Sequence, residues 1–401
     1  MISYRDFLAL ANSPDSAERG QAAHLIASAL AAHDGPDAEQ AALYAAAMGF
    51  LDDPSVKVRG ALAYGLLHCE QAPRPLMLAL LGDLPVIARA VAQYSPALID
   101  ADLVVALEDA DTLMARAIAA RAGIGGGLVA MLLRRPETEV ALDILARHDL
   151  KPGADGFARL AERARTDSVL RGALLARKDL PATVRLELAG QVREALFATR
   201  IVKGAVAPRR LDRIMRNGAD EAATAIAEAE LARGGHSVLA QLSETGGLST
   251  RLMLQALIAG RIRFFAAAMS LLSGLPDARV YSILESGGRA SLLALFERAG
   301  FSPALADLLI RLVLHARSAD LADDLSARYF VVTVVIDELV IEHDGQIPAS
   351  LTDAFAYLNE QNVTLARKAA RGVMSGFAEE AGEDRRLPIA RSRSRALTSA
   401  A

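Results

Sequence analysis

The segment Ile144-Leu145-Ala146-Arg147-His148-Asp149-Leu150 returns thirty residues later as Leu174-Leu175-Ala176-Arg177-Lys178-Asp179-Leu180. Looser copies are Ala117-Ile118-Ala119-Ala120-Arg121 and Val91-Ala92-Gln93-Tyr94-Ser95. With the apolar-Ala pair as marker, units fall at 62, 91, 118, 145 and 175, spaced by 29, 27, 27 and 30 residues. This period constrains the fold more than any other feature. It is too long for one ordinary helix and suits two short helices with their turns. Neither helix buries its apolar stripe alone, so neighbouring pairs must stack.

The residues around each marker support helix pairs. A helix-like run precedes it, as in residues 58–67. A turn follows, such as Ser95-Pro96, Gly125-Gly126-Gly127 or Lys151-Pro152-Gly153, and then a new apolar run. Composition agrees. The chain is 52% hydrophobic but only 4% aromatic, with no Trp, so Ala and Leu carry the apolar load. Such a chain packs helices closely through small side chains. The balance excludes a collagen, a disordered polyampholyte and a disulfide scaffold. Cys69 is the single cysteine, so it forms no intrachain disulfide and no cysteine-based zinc cluster. The net charge of −4 gives no global bias toward nucleic acid or anionic membrane.

Asp52-Asp53-Pro54-Ser55-Val56-Lys57-Val58-Arg59-Gly60-Ala61 resembles the turn and second helix of a HEAT repeat. In that family an Asp at the turn and an Arg on the second helix tie neighbouring units together. The resemblance implies such a ladder from Asp53 with Arg59, Asp83 with Arg89, Asp111 with Arg116, and Asp167 with Arg171. The unit around Asp143 shows no matching Arg. Asp suits the helix start, where it accepts backbone N–H groups, and Arg bridges outward. The markers also resemble a bacterial family known as a domain of unknown function, over about residues 50–310. That stretch includes Gly260-Arg261-Ile262-Arg263-Phe264-Phe265 and Leu295-Phe296-Glu297-Arg298-Ala299-Gly300-Phe301. The likeness implies a HEAT-like fold and carries no settled activity with it, so it assigns no catalytic residue.

The expected fold is all-α: an α-solenoid of HEAT-like helix pairs over 1–200, then a more irregular helical region over 201–381. Apolar stripes at Leu252, Leu254, Leu257 and Ile258, and from Ala304 to Val313 after Ser302-Pro303, fit short helices. The β-branched run 329–341 suits a strand by composition. A buried helix is expected instead, because the apolar set continues through Leu339 without a turn. Residues 382–401, rich in Arg and Ser, are expected to be a disordered tail, either solubilising or in contact with a polyanion. The N-terminus shows no signal-peptide pattern, and no apolar run approaches the ~20 residues of a membrane span. A cytoplasmic protein is therefore expected.

Chemistry is sparse. Gly123-Ile124-Gly125-Gly126-Gly127 lacks the preceding strand and the Gly-Lys-Ser/Thr of a phosphate loop, and reads as a turn. No pair among the seven His has metal-ligand spacing, and His68 is badly placed as a base for Cys69. No catalytic residue, metal or cofactor is expected. The one candidate binding patch is basic: Arg200, Lys203, Arg209, Arg210, Arg213 and Arg216, opposed within that span only by Asp212. Arg209, Arg213 and Arg216 share a face if the segment is helical. The function expected is a non-enzymatic scaffold binding a partner protein, or a second copy of the chain, through a helical-repeat surface. The alternative is nucleic-acid binding through the basic face around 200–216. A third reading, an enzyme with a site assembled from scattered residues, requires a deep pocket of converging polar groups.

Overall fold

The computed structural model describes residues 4–380. The tail expected over 382–401 lies outside them. Among the described residues the regular elements are twenty-three α-helices and two 3-10 turns, and there is no strand. The class is all-α. The chain forms two compact units that divide between Gln191 and Val192.

The first unit begins with α1 (Tyr4–Ala11), α2 (Ser16–Ala31), α3 (Asp37–Gly49) and α4 (Val56–Leu66). Short helices then alternate: α5 (Arg74–Leu81) and α6 (Pro85–Tyr94), α7 (Asp100–Glu108) and α8 (Thr112–Ala120), α9 (Gly126–Leu132) and α10 (Thr138–Ala146), α11 (Gly153–Arg163) and α12 (Ser168–Ala176). α13 (Ala182–Ala198) carries the chain past the division. The second helices pack in sequence, α4 on α6, α6 on α8, α8 on α10, α10 on α12; the first helices α7, α9 and α11 do the same.

Local chemistry sets the helix starts. The Asp111 carboxylate accepts the Met114 N–H at the head of α8, and Asp167 accepts those of Val169 and Leu170 at the head of α12. The repeat markers lie on α4, α6, α8, α10 and α12, each in the second half of its helix. Leu62, Val91, Ile118 and Leu145 are buried there; in α12 the buried residue is Leu174 and Leu175 is only half-buried. These side chains, with Ala92, Ala119 and Ala141, belong to one core running from Ala22 to Leu188. Small residues set the spacing. A Cβ on Gly65 would lie 2.5 Å from that of Ala27, so α4 meets α2 at a distance only glycine permits.

The second unit continues with α14 (Arg200–Ala205), α15 (Pro208–Leu231), α16 (Ser237–Glu244), α17 (Thr250–Ile258), α18 (Ile262–Ser273), α19 (Asp277–Ser286), α20 (Arg289–Arg298), α21 (Pro303–Ala316), α22 (Leu325–Glu342) and α23 (Thr352–Glu380). α17 is central: it is buried from Leu252 to Ile258 and packs on α15, α18, α21, α22 and α23. It ends at Gly260, whose left-handed φ of +67° and close approach to the Ala322 backbone exclude a side chain. Ser302 and Pro303 open α21 as expected. Residues 329–341 are helical within α22, but only one face is buried. Val331, Val332, Val335 and Leu339 face the core while Phe330 and Ile341 are exposed. Helical spacing therefore prevailed over β-branched composition.

Candidate functional site

The aspartates and arginines of the expected ladder pair forward, from one unit to the next. Arg19 on α2 binds Asp53 at 2.7 Å, and Arg59 on α4 grips Asp83 with two bonds of 2.6 and 2.8 Å. Arg89 on α6 reaches Asp111 at 2.5 Å, and Arg116 on α8 reaches Asp143 at 2.7 Å. Asp143, which has no arginine of its own by the expected spacing, thus receives one from the unit before. Arg59 also donates to the Asp53 carbonyl, at 2.7 Å. Asp167 and Arg171 do not pair with each other: Asp167 caps α12 and accepts from Thr138, while Arg171 donates to the Ala164 carbonyl. The hydrogen bonds from Arg19 and Arg59 hold the Asp53 and Asp83 carboxyls below the usual range. At Asp111 and Asp167 the backbone N–H groups of Met114 and Leu170 are the largest single cause of the lowering.

A second arginine series stands at the C-terminal ends of α8, α10 and α12, where the last carbonyls of a helix have no internal partner. Arg121 donates to the carbonyls of Ala92 and Leu98. Arg147 donates to those of Ala119 and Arg121, and Arg177 to those of Leu145, Arg147 and Leu150. Arg177 is only 1% exposed, and Asp179 completes its neutralisation. Sequence reasoning did not single these residues out, although Arg147 and Arg177 sit inside the repeated segment. The glycine loop is equally inward-turned. Gly125 N–H donates to the Asp100 carboxylate at 2.8 Å, so an internal anion occupies the place a phosphate would take.

The basic segment behaves differently. Arg200 and Lys203 lie on α14; Arg209, Arg210, Arg213 and Arg216 lie on the first turns of α15, and all six are exposed. Helical geometry places Arg209, Arg213 and Arg216 on one face, as expected. Arg216 pairs with Asp212 at 2.9 Å, and the Lys203 ammonium lies 5.9 Å from the Phe197 ring centre. Arg200, Arg209, Arg210 and Arg213 make no hydrogen bond or ion pair with the described residues.

The same face of α15 continues through Asp220 into a polar cavity of about 540 Å³. Its walls include Arg216, Ser249, Arg251, Asp353, Tyr357 and Glu360. Arg251 binds Asp220 at 2.6 Å and also Asn217; its guanidinium lies 4.6 Å from the Tyr357 ring centre and 3.9 Å from Glu360. The Tyr357 hydroxyl donates to Gln255 Oε1 at 2.5 Å. Burial raises the Asp220 carboxyl above its usual value and keeps the Tyr357 hydroxyl protonated. These groups are spent largely on one another, and they join α15, α17 and α23. No local sequence pattern links residues so far apart.

A third feature lies on the first unit. Tyr64 on α4 is 72% exposed, and Tyr94 on the adjacent α6 is 49% exposed. His24 lies 5.7 Å from the Tyr64 ring and His68 lies 5.7 Å from the Tyr94 ring, centre to centre. Two amphipathic rings are thus held in place while open to solvent. Among the described residues, no group of three or more His, Cys, Asp and Glu is placed to hold a metal, and no helix is long and apolar enough to cross a membrane.

Fold and surface define an all-α protein of short helix pairs, several of whose arginines serve its own backbone. The chain belongs to DUF2336, a family of uncharacterised proteins conserved in bacteria, whose model matches residues 87–339. The match begins later and ends later than the stretch expected from the sequence. No curated protein and no solved structure matches the chain.

Proposed function

We propose that this protein is a non-enzymatic interaction scaffold acting in the cytoplasm, with its first unit a HEAT-like solenoid. The forward Arg-to-Asp pairs and the sequential packing of second helices support the solenoid. The observation that carries the binding role is the exposure of two tyrosines, Tyr64 on α4 and Tyr94 on the adjacent α6, each held by a histidine ring. Tyrosines with few rotamers, an apolar body and a polar tip are strong anchors for a partner protein. The His contacts order them in advance, which lowers the cost of association.

A photo-crosslinking residue placed at 64 or 94 tests this in cells. One discrete protein adduct, lost on Tyr94→Ala when the probe is at 64, is the expected result. An adduct of the chain with itself identifies the partner as a second copy. Absence of any adduct, together with monomeric behaviour at high concentration, removes the proposal.

A further inference from the structure

We propose that the stretch from Leu196 to Ile214 is a contact site for an anionic phospholipid surface. It concerns residues other than Tyr64 and Tyr94, so either reading stands or fails alone. Two observations meet here. The first is charge: Arg200, Arg209, Arg210 and Arg213, exposed and without an internal partner among the described residues, fall within fourteen residues of chain that hold one acidic residue, Asp212. The second is apolar exposure within the same short stretch. Leu196 and Phe197 at the end of α13, and Ile214 on α15, are exposed, and Ile201 on α14 is 81% exposed. α14 buries none of its residues.

Long basic side chains beside bare Leu, Phe and Ile form the pattern of a helix lying in a headgroup layer. The apolar tips enter the acyl boundary, while Arg and Lys extend back to the phosphates. Lys203 beside Phe197 already shows such a pairing of cation and apolar ring. Nucleic acid satisfies the arginines but gives Leu196, Ile201 and Ile214 nothing: phosphates need no apolar contact, and aliphatic side chains do not stack on bases. A bilayer uses both sets. Near an anionic surface each basic residue contributes about fivefold in partitioning, and the contribution is screened by salt.

Flotation of the full chain with vesicles tests the proposal. One set contains phosphatidylcholine alone, the other phosphatidylcholine with phosphatidylglycerol; a duplex DNA arm runs in parallel. Binding is expected to the anionic vesicles only and to weaken with salt. The Arg209→Glu, Arg210→Glu, Arg213→Glu triple variant should reduce it by roughly a hundredfold or more. The Phe197→Asp, Ile201→Asp variant should also abolish it, whereas Arg134→Glu, on the other unit, should not. All six positions are exposed, and circular dichroism confirms folding of each variant. The proposal is overturned by equal binding to both vesicle types, by no binding, or by anionic-vesicle binding that survives both multiple variants, which would assign it to the Arg-rich residues 382–401. Tight DNA binding indifferent to Phe197 and Ile201, without vesicle binding, overturns it in favour of a nucleic-acid site.

Discussion

The guanidinium of Arg177 donates to the main-chain carbonyl of Arg147, 30 residues earlier, at 2.6 Å. Arg147 in turn donates to the carbonyl of Arg121, 26 residues before it, at 2.7 Å. Each arginine thus satisfies the last carbonyls of the preceding second helix and offers its own carbonyl to the next arginine. Arg177 is fully enclosed, so its loss strands several buried acceptors together with Asp179. Arg177→Met should destabilise the first unit by about 3–5 kcal/mol. Arg134→Met, on an exposed residue, should stay within about 0.5 kcal/mol. Urea unfolding followed by helical circular dichroism decides; equal midpoints for the two variants would show that the chain of arginines contributes nothing.

Asp83 predicts a pH dependence. Its carboxyl titrates below the ordinary value of 3.8, chiefly because Arg59 hydrogen-bonds the charged form. A folded-state value lowered in this way contributes stability that is full above the unfolded value and lost as pH falls through the folded one. Asp83→Asn should therefore cost about 1–2 kcal/mol at neutral pH. The penalty should shrink from about pH 4 downward, as the wild type loses the same contribution. Paired denaturation curves at neutral and acid pH measure this; a penalty constant with pH removes the ionic account.

The helix pairs were legible because burial imposes its period directly on Leu and Ala. The arginine partners were not. An Asp and an Arg a few residues apart look like partners within one turn, yet Arg59 passes over its own Asp53 carboxylate to reach Asp83, 24 residues on. Backbone carbonyl acceptors leave no mark in a sequence, so Arg121, Arg147 and Arg177 carried only their position in the repeat as a signal. The basic stretch at 200–216 was visible as charge. What distinguishes it, unpartnered arginines clustered beside exposed Ile201 and Phe197, depends on the exposure of each side chain in the fold.

Two glycines that lie within helices should respond oppositely to alanine. Gly172 lies inside α12, and a Cβ there would touch nothing within 4 Å. Gly172→Ala should stabilise by about 0.5–1 kcal/mol, through the smaller entropy of the unfolded chain. Gly65 faces Ala27 across the tight α2–α4 contact, so Gly65→Ala must separate the helices and should cost about 1–3 kcal/mol. Equilibrium unfolding of the two variants side by side checks the sign of each; a stabilised Gly65→Ala would mean that α2 and α4 do not meet this closely.

In the second unit, the Tyr357 hydroxyl and Gln255 Oε1 satisfy each other across 102 residues of chain, and both side chains are buried. Removing the hydroxyl alone leaves the amide oxygen with no donor, a desolvation cost without compensation. Tyr357→Phe should therefore destabilise by about 1–3 kcal/mol while leaving the ring beneath Arg251. Gln255→Leu alone should cost a similar amount, because it strands the hydroxyl instead. Replacing both partners with apolar groups removes the unsatisfied atom in either direction, so the double variant should be more stable than the two single costs would sum to. A double-mutant cycle by chemical denaturation reads this coupling. Strict additivity would mean that the two groups do not meet, and that the join between α17 and α23 rests on Arg251 and the surrounding apolar contacts alone.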